Sequence, residues 1–161
     1  PLDFLALGLA TAGGSGLIPV VSGTAGTLVG VAIVVLTSEM SIFLRVVLWA
    51  CILAVGFWSA GYVATRAEIP DPKSVVIDEV AGYGIAAWSV EGDLRAMAVA
   101  FVLFRILDIF KPTPIRQVDA WSKSITGANQ LGHGTGIMLD DILAGFMTLI
   151  VVYYLQWSGW L

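Results

Sequence analysis

Apolar residues run along this chain in long continuous stretches separated by short polar segments. Residues 24–37 (TAGTLVGVAIVVLT) and 42–63 read as two hydrophobic helices joined by a tight turn. Thr24 is placed to cap the first of them. A polar connection at 64–74 (ATRAEIPDPKS) leads into a third helix over about 75–90. EGD at 91–93 forms a turn, and a fourth helix covers about 94–111, where Pro112 and Pro114 stop it. Residues 115–127 are amphipathic and suit a membrane interface, and GANQLGHGTG at 127–136 reads as a loop holding the only histidine, His133, in solvent. A fifth helix covers about 135–157. Residues 1–23 are apolar but broken by glycines and Pro19, which predicts an interfacial or re-entrant segment ending in a glycine-rich turn. The aromatic tail (Tyr153, Tyr154, Trp157, Trp160) matches a headgroup belt.

Composition narrows the class. Of 161 residues, 58% are hydrophobic and 12% charged, against about 25% charged in a soluble domain. The mean hydropathy is +0.89. A soluble fold of this size cannot hide that much apolar surface. A lipid-facing β-barrel would need many alternating segments of about ten residues, and the apolar runs here are continuous. The expected fold is therefore all-α: one membrane-embedded domain over 1–161, a small helical bundle with about four to five spans and the re-entrant or interfacial N-terminal segment. The net charge of −4 and the absence of a basic stripe exclude a nucleic-acid partner. Cys51 is the single cysteine, so there is no intrachain disulfide and no cysteine metal cluster. The chain starts at Pro1, as a trimmed chain would, and no basic segment marks a signal peptide ahead of the first apolar stretch.

Charge placement predicts an orientation. Arg66 and Lys73 lie between the second and third helices; Lys111, Arg116 and Lys123 lie between the fourth and fifth. Basic connections stay cytoplasmic, while the acid-biased turns near 38–41 and 91–93 face outward. Asp78 and Glu79 then begin a helix leaving the cytoplasmic face, as do Asp140 and Asp141, and Arg105, Asp108 and Lys111 end a helix arriving there. The turn before Thr24 opens on the same side. Four polar patches converge on one membrane face.

Those patches have a chemistry. Burying a charge at the centre of a membrane helix costs about 2.5–3.5 kcal/mol, so gathering Asp78, Glu79, Asp108, Asp140 and Asp141 calls for cations. VVIDEVAG (75–82) and MLDDILAG (138–145) resemble each other, as an internal duplication would. In each, an aspartate precedes a glycine by four residues on one helix face (Asp78 and Gly82, Asp141 and Gly145), and glycine permits close helix approach. Hard oxygen ligands collected this way suit Mg²⁺ and a substrate phosphate. The alternative is that the acidic pairs only complement helix N-termini. Arg105, Asp108 and Lys111 share a face at i, i+3 and i+6: Asp108 can bridge both cations, or the cations can hold phosphate oxygens while Asp108 joins a metal site. Arg116 can reach the same phosphate or anchor at an anionic headgroup, and VSGTAGT at 21–27, with Thr24, opens a helix whose free N–H groups suit an anion.

Several chemistries are excluded by what is missing. Cys51 is followed six residues later by Phe57 and not by the arginine of a cysteine phosphatase. There is no SGH element, no DxDx(T/V) motif and no G-x-x-x-x-G-K-[ST] loop. Activated water is thus the expected nucleophile of any phosphatase reaction, not a covalent side chain.

Four stretches carry a family resemblance: GSGLIPVVSGTAGT (14–27), VVIDEVAGY (75–83), FVLFRILDIFKPTPIRQVD (101–119) and GTGIMLDDILAG (134–145). In order and spacing the chain resembles phosphatidylglycerophosphatase A, a bacterial membrane phosphatase of phosphatidylglycerol synthesis. One departure is Ser22, where the family usually has proline. The resemblance implies Mg²⁺-dependent removal of the terminal phosphate from phosphatidylglycerophosphate, an anionic phospholipid, at the bacterial inner membrane. Together with the residue pattern it predicts a multi-pass enzyme with its active site on the cytoplasmic side. Asp78, Glu79, Asp140 and Asp141 are then expected to hold one or two Mg²⁺, with Asp108 as ligand or orienter. Arg105, Lys111, Arg116 and Thr24 are expected at the phosphate. A lipid phosphotransferase of the CDP-alcohol type lacks its D-G-x-x-A-R pattern here, and a cation transporter or channel subunit would spread its carboxylates along the membrane depth.

Overall fold

A computed structural model describes residues 2–125 and 129–161. Seven α-helices follow in order: α1 Leu2–Ala10, α2 Ser22–Thr37, α3 Ile42–Ala67, α4 Ile77–Ala86, α5 Leu94–Phe110, α6 Ile115–Ile125 and α7 Gln130–Trp157, with one 3₁₀ turn at Ser15–Leu17. No strand occurs among the described residues, so the fold is all-α. Pro1 and residues 126–128, which include the start of the expected 127–136 loop, lie outside the described residues.

Among the described residues two helices are long and apolar enough to cross a membrane, α3 with 26 residues and α7 with 28. At 1.5 Å per residue they extend about 39 and 42 Å, beyond the roughly 30 Å of bilayer hydrocarbon. α2 is apolar but shorter, at 16 residues. Phe4, Leu36, Phe43, Phe110 and Ile150 stand exposed on the outside, a surface that lipid accepts and water does not.

α4 is the centre of the bundle. Seven of its ten residues are buried, among them Val80, Gly82, Tyr83 and Gly84, and it packs against α2, α3, α5 and α7. Past its first turn, which carries Asp78 and Glu79, α4 is apolar all round, and such a stretch belongs inside; its ten residues reach only about 15 Å. It is shorter than the 75–90 expected because the chain turns after Ala86 toward Gly92, which has φ +84°. The Tyr83 hydroxyl donates to the Met97 carbonyl at 3.0 Å, pinning α4 to α5. At the far end Arg45 pairs with Glu91 and lies 5.4 Å from the Trp88 ring centre. α1 is tied down where Tyr62 and Arg66 donate to Asp3 at 3.0 and 3.1 Å.

Three sequence expectations are corrected here. α7 begins at Gln130 after the extended cap residue Asn129, so 130–136 of the glycine-rich stretch is helix, and His133 is half-buried within it. Its glycines are spaces for a neighbour: a Cβ on Gly134 would strike the Phe57 carbonyl, and one on Gly61 would strike the Gln130 carbonyl. α3 and α7 cross there backbone to backbone. Consequently Asp140 and Asp141 lie about ten residues inside α7, some 15 Å from its start. A dipole role for that pair falls away, since the helix dipole acts within the first turn. Finally, α2 starts at Ser22, so Thr24 is inside the first turn, and the cap position is held by Val21 with no side-chain bond. Ser22 occupies the first helical position, where proline is also well tolerated.

Candidate active site

Two helix crossings build the site. A Cβ on Gly145 would strike the Gly82 carbonyl, and one on Gly82 would sit 2.7 Å from the Asp141 carbonyl and from the Phe104 ring. α4 and α7 therefore touch at these glycines. Asp78 and Asp141 each stand one turn before their glycine, so the crossing brings the two carboxylates together. Asp78, Glu79 and Asp141 each offer an oxygen, all within 4.8 Å of one another. α5 adds Asp108, which stands beside both Asp141 and Glu79. α2 closes the side: a Cβ on Gly23 would lie 3.0 Å from the Arg105 guanidinium.

The cations are divided between the acids. Arg105 Nη1 lies 2.5 Å from Asp108 Oδ2 and 3.9 Å from Glu79 Oε1. Lys111 does not share Asp108, contrary to the bridging alternative. It ends α5 in the left-handed conformation, φ 44°, and turns to Asp140 and, at 2.7 Å, to Asp119. Asp119 also accepts from Lys123 at 2.8 Å. Burial alone would raise the Asp119 carboxyl, but the hydrogen bonds from Lys111 and Lys123 outweigh it and hold the group below its ordinary value. Of the four acids expected to bind metal, three thus converge and Asp140 is engaged by Lys111.

Asp78, Glu79, Asp108, Asp140, Asp141, Arg105 and Lys111 line one cavity of about 390 Å³, together with Ser22 and Gly23. Asp71 and Lys73 line it too. In the sequence they stand only in the polar connection 64–74. Asp119 was likewise missed, although the spacing of its charge after Lys111 in KPTPIRQVD was visible. Thr24 and Arg116 are not among the lining residues, and Arg116 is exposed on α6. Asp78 Oδ1, Glu79 Oε2, Asp140 Oδ1 and Asp141 Oδ2 are buried without a hydrogen-bond partner. Six carboxylates face three cations in this cavity. With all ionised, three negative charges stay uncompensated, an arrangement that low-dielectric surroundings penalise strongly. Every metal-ligating side chain lining the cavity is a carboxylate, with no histidine or cysteine, so the donor set fits a hard divalent cation.

The family model described as phosphatidylglycerophosphatase A matches residues 8–156. The chain belongs to the phosphatidylglycerophosphatase A family. It is 33% identical to the Haemophilus influenzae phosphatidylglycerophosphatase A over 159 residues, covering 98% of this chain and 90% of the relative. It is also 33% identical to the Escherichia coli phosphatidylglycerophosphatase A over 156 residues, 96% of this chain and 83% of the relative. A Bacteroides thetaiotaomicron protein, provisionally named a phosphatidylinositol-3-phosphatase, is 32% identical over 162 residues, covering 96% of each chain. No solved structure was found to match. Membership of the phosphatidylglycerophosphatase A family makes the chain a phosphoric monoester hydrolase. The phosphotransferase and transporter alternatives are thereby set aside.

Proposed function

We propose that this chain removes the terminal phosphate of phosphatidylglycerophosphate, using Mg²⁺ held by Asp78, Glu79 and Asp141, on the cytoplasmic side of a bacterial inner membrane. The observation that supports it most is the meeting of these three carboxylates within 4.8 Å, beside Arg105. When bound, the divalent ion supplies the positive charge the acids require and activates water for attack on phosphorus. The protein's own groups do the rest. Arg105, fixed by Asp108 at 2.5 Å, presents its guanidinium to the phosphate oxygens. Water adds to phosphorus as the bond from phosphorus to the glycerol oxygen breaks. One water proton passes to the carboxylate cluster, and the cluster returns a proton to the departing glycerol oxygen, which leaves as the alcohol. Lys111 holds Asp140 and, through Asp119, ties the amphipathic α6 to the end of α5 beside the site.

The single-domain, multi-pass reading is part of the same proposal. α2, α3, α4, α5 and α7 would give five membrane-embedded helices, with α4 of half length. Arg66, Lys73, Lys111, Arg116 and Lys123 cluster at the end holding the site, which supports a cytoplasmic orientation.

Phosphate release from phosphatidylglycerophosphate by the purified protein is expected with Mg²⁺, lost in EDTA and restored by excess Mg²⁺. Equal rates with and without EDTA would remove the metal from the proposal. Arg105→Ala should lower kcat by about 10²–10³, the range for losing one positioned donor to a developing charge. Arg105→Lys should recover only part of this, because a point charge cannot replace the planar fork.

A further inference from the structure

A second cavity, of about 290 Å³ and almost wholly apolar, opens between α2 and α5. Its walls continue the polar site turn by turn. On α5 it is lined by Met97, Phe101 and Val102, which precede Arg105 by eight, four and three residues. They share Arg105's helix face. Its floor is Tyr83, one turn after Glu79, and its α2 wall is Leu28 and Val31, beginning five residues after Gly23. The cleft therefore starts about one helical turn, some 5 Å, from the phosphate-facing groups and runs on toward Leu94, about 16 Å from Arg105 along α5. Leu28, Leu94 and Val102 are each more than half exposed, so the cleft is open to the surrounding lipid along its length.

We propose that this cleft seats one acyl chain of the phosphorylated lipid while its headgroup occupies the polar cavity. The proposal rests on the lipid-phosphatase function above, and the occupant follows from continuity. A molecule with an anionic head at Arg105 and an apolar tail directed into the bilayer meets matching surfaces in that order. The tail enters sideways from the membrane, so the substrate need not leave the bilayer to be hydrolysed. Acyl burial in the cleft orients the phosphate toward the carboxylates.

Ala98 lines the cleft and is exposed. Ala98→Trp should fill it and lower the ratio of kcat/KM for dioleoyl over dihexanoyl substrate by about tenfold or more, because a long tail denied its seat holds the phosphate out of line with Arg105, and misplacement of about 1 Å can cost 10²-fold. Ile150→Trp, on the outer face of α7, should leave that ratio unchanged. A ratio unmoved by Ala98→Trp would overturn the proposal. A second measurement does not depend on turnover: a phosphatidic acid with a diazirine in its acyl chain, crosslinked to the wild-type protein in vesicles. Adducts should concentrate at 28–31 and 94–102. Adducts spread evenly over the outer faces of α3 and α7 would overturn the acyl seat. So would a disulfide-linked dimer of Ala98→Cys made with Cys51→Ser, which would give the cleft to a second copy. Adducts in the cleft of a protein that releases no phosphate would sink the hydrolase assignment and leave the acyl site standing.

Discussion

Asp78→Asn and Asp141→Asn are each expected to lower Mg²⁺-dependent phosphate release by at least about 100-fold, since even the outer partners of metal ligands are worth 10–100-fold. Asparagine keeps the size and one oxygen but not the charge, so the site loses an anionic donor without losing packing. The stability change should run the opposite way. Asp78, Glu79 and Asp141 crowd one another, and buried oxygens of each have no hydrogen-bond partner. Removing one negative charge relieves repulsion wherever no cation is bound. In EDTA the thermal midpoint of either variant should equal or exceed that of the wild type. With Mg²⁺ the order should reverse, because the wild type binds the ion more tightly in its folded state. Activity within about threefold of wild type would take the substituted residue out of the metal shell.

Gly82→Ala and Gly145→Ala should cost on the order of 1–3 kcal/mol in unfolding experiments in detergent, the usual penalty for forcing atoms into a packed core. Neither added methyl has room. At Gly82 it would sit 2.7 Å from the Asp141 carbonyl and the Phe104 ring, and at Gly145 it would strike the Gly82 carbonyl. The relief available is to part α4 from α7, which also parts Asp78 from Asp141. Activity should therefore fall with stability in both variants. Gly8→Ala is the control. It is also helical, but nothing lies within 4 Å of the added carbon, so the better helix propensity of alanine should stabilise by about 0.5–1 kcal/mol. Loss of stability at Gly8 equal to that at Gly145 would mean that the crossing is not what the glycines serve.

The membrane class, the helical fold and the converging acids were all readable in the residue pattern, for reasons local to the chain. Hydropathy over a window reports removal from water whatever the neighbours are, and the positions of Pro112, Pro114 and the EGD turn mark helix ends. The four-residue step from Asp78 to Gly82, repeated from Asp141 to Gly145, announced a crossing because helix geometry alone puts those positions on one face.

The errors share a single cause. Gly132, Gly134 and Gly136 look like loop residues, and a turn is what glycine favours when nothing else acts. In the fold, Gly134 meets the Phe57 carbonyl of another helix, and that contact outweighs propensity. The same blindness hid which acid pairs with which cation. Asp140 and Asp141 are adjacent in sequence, yet about 100° apart around α7. One turns to Lys111, the other to Asp78 and Glu79. Composition and spacing supply the acidic residues and the face they share. Their partners depend on how α4, α5 and α7 rotate about their axes, and that rotation is set by side chains and glycine gaps on elements far away along the chain.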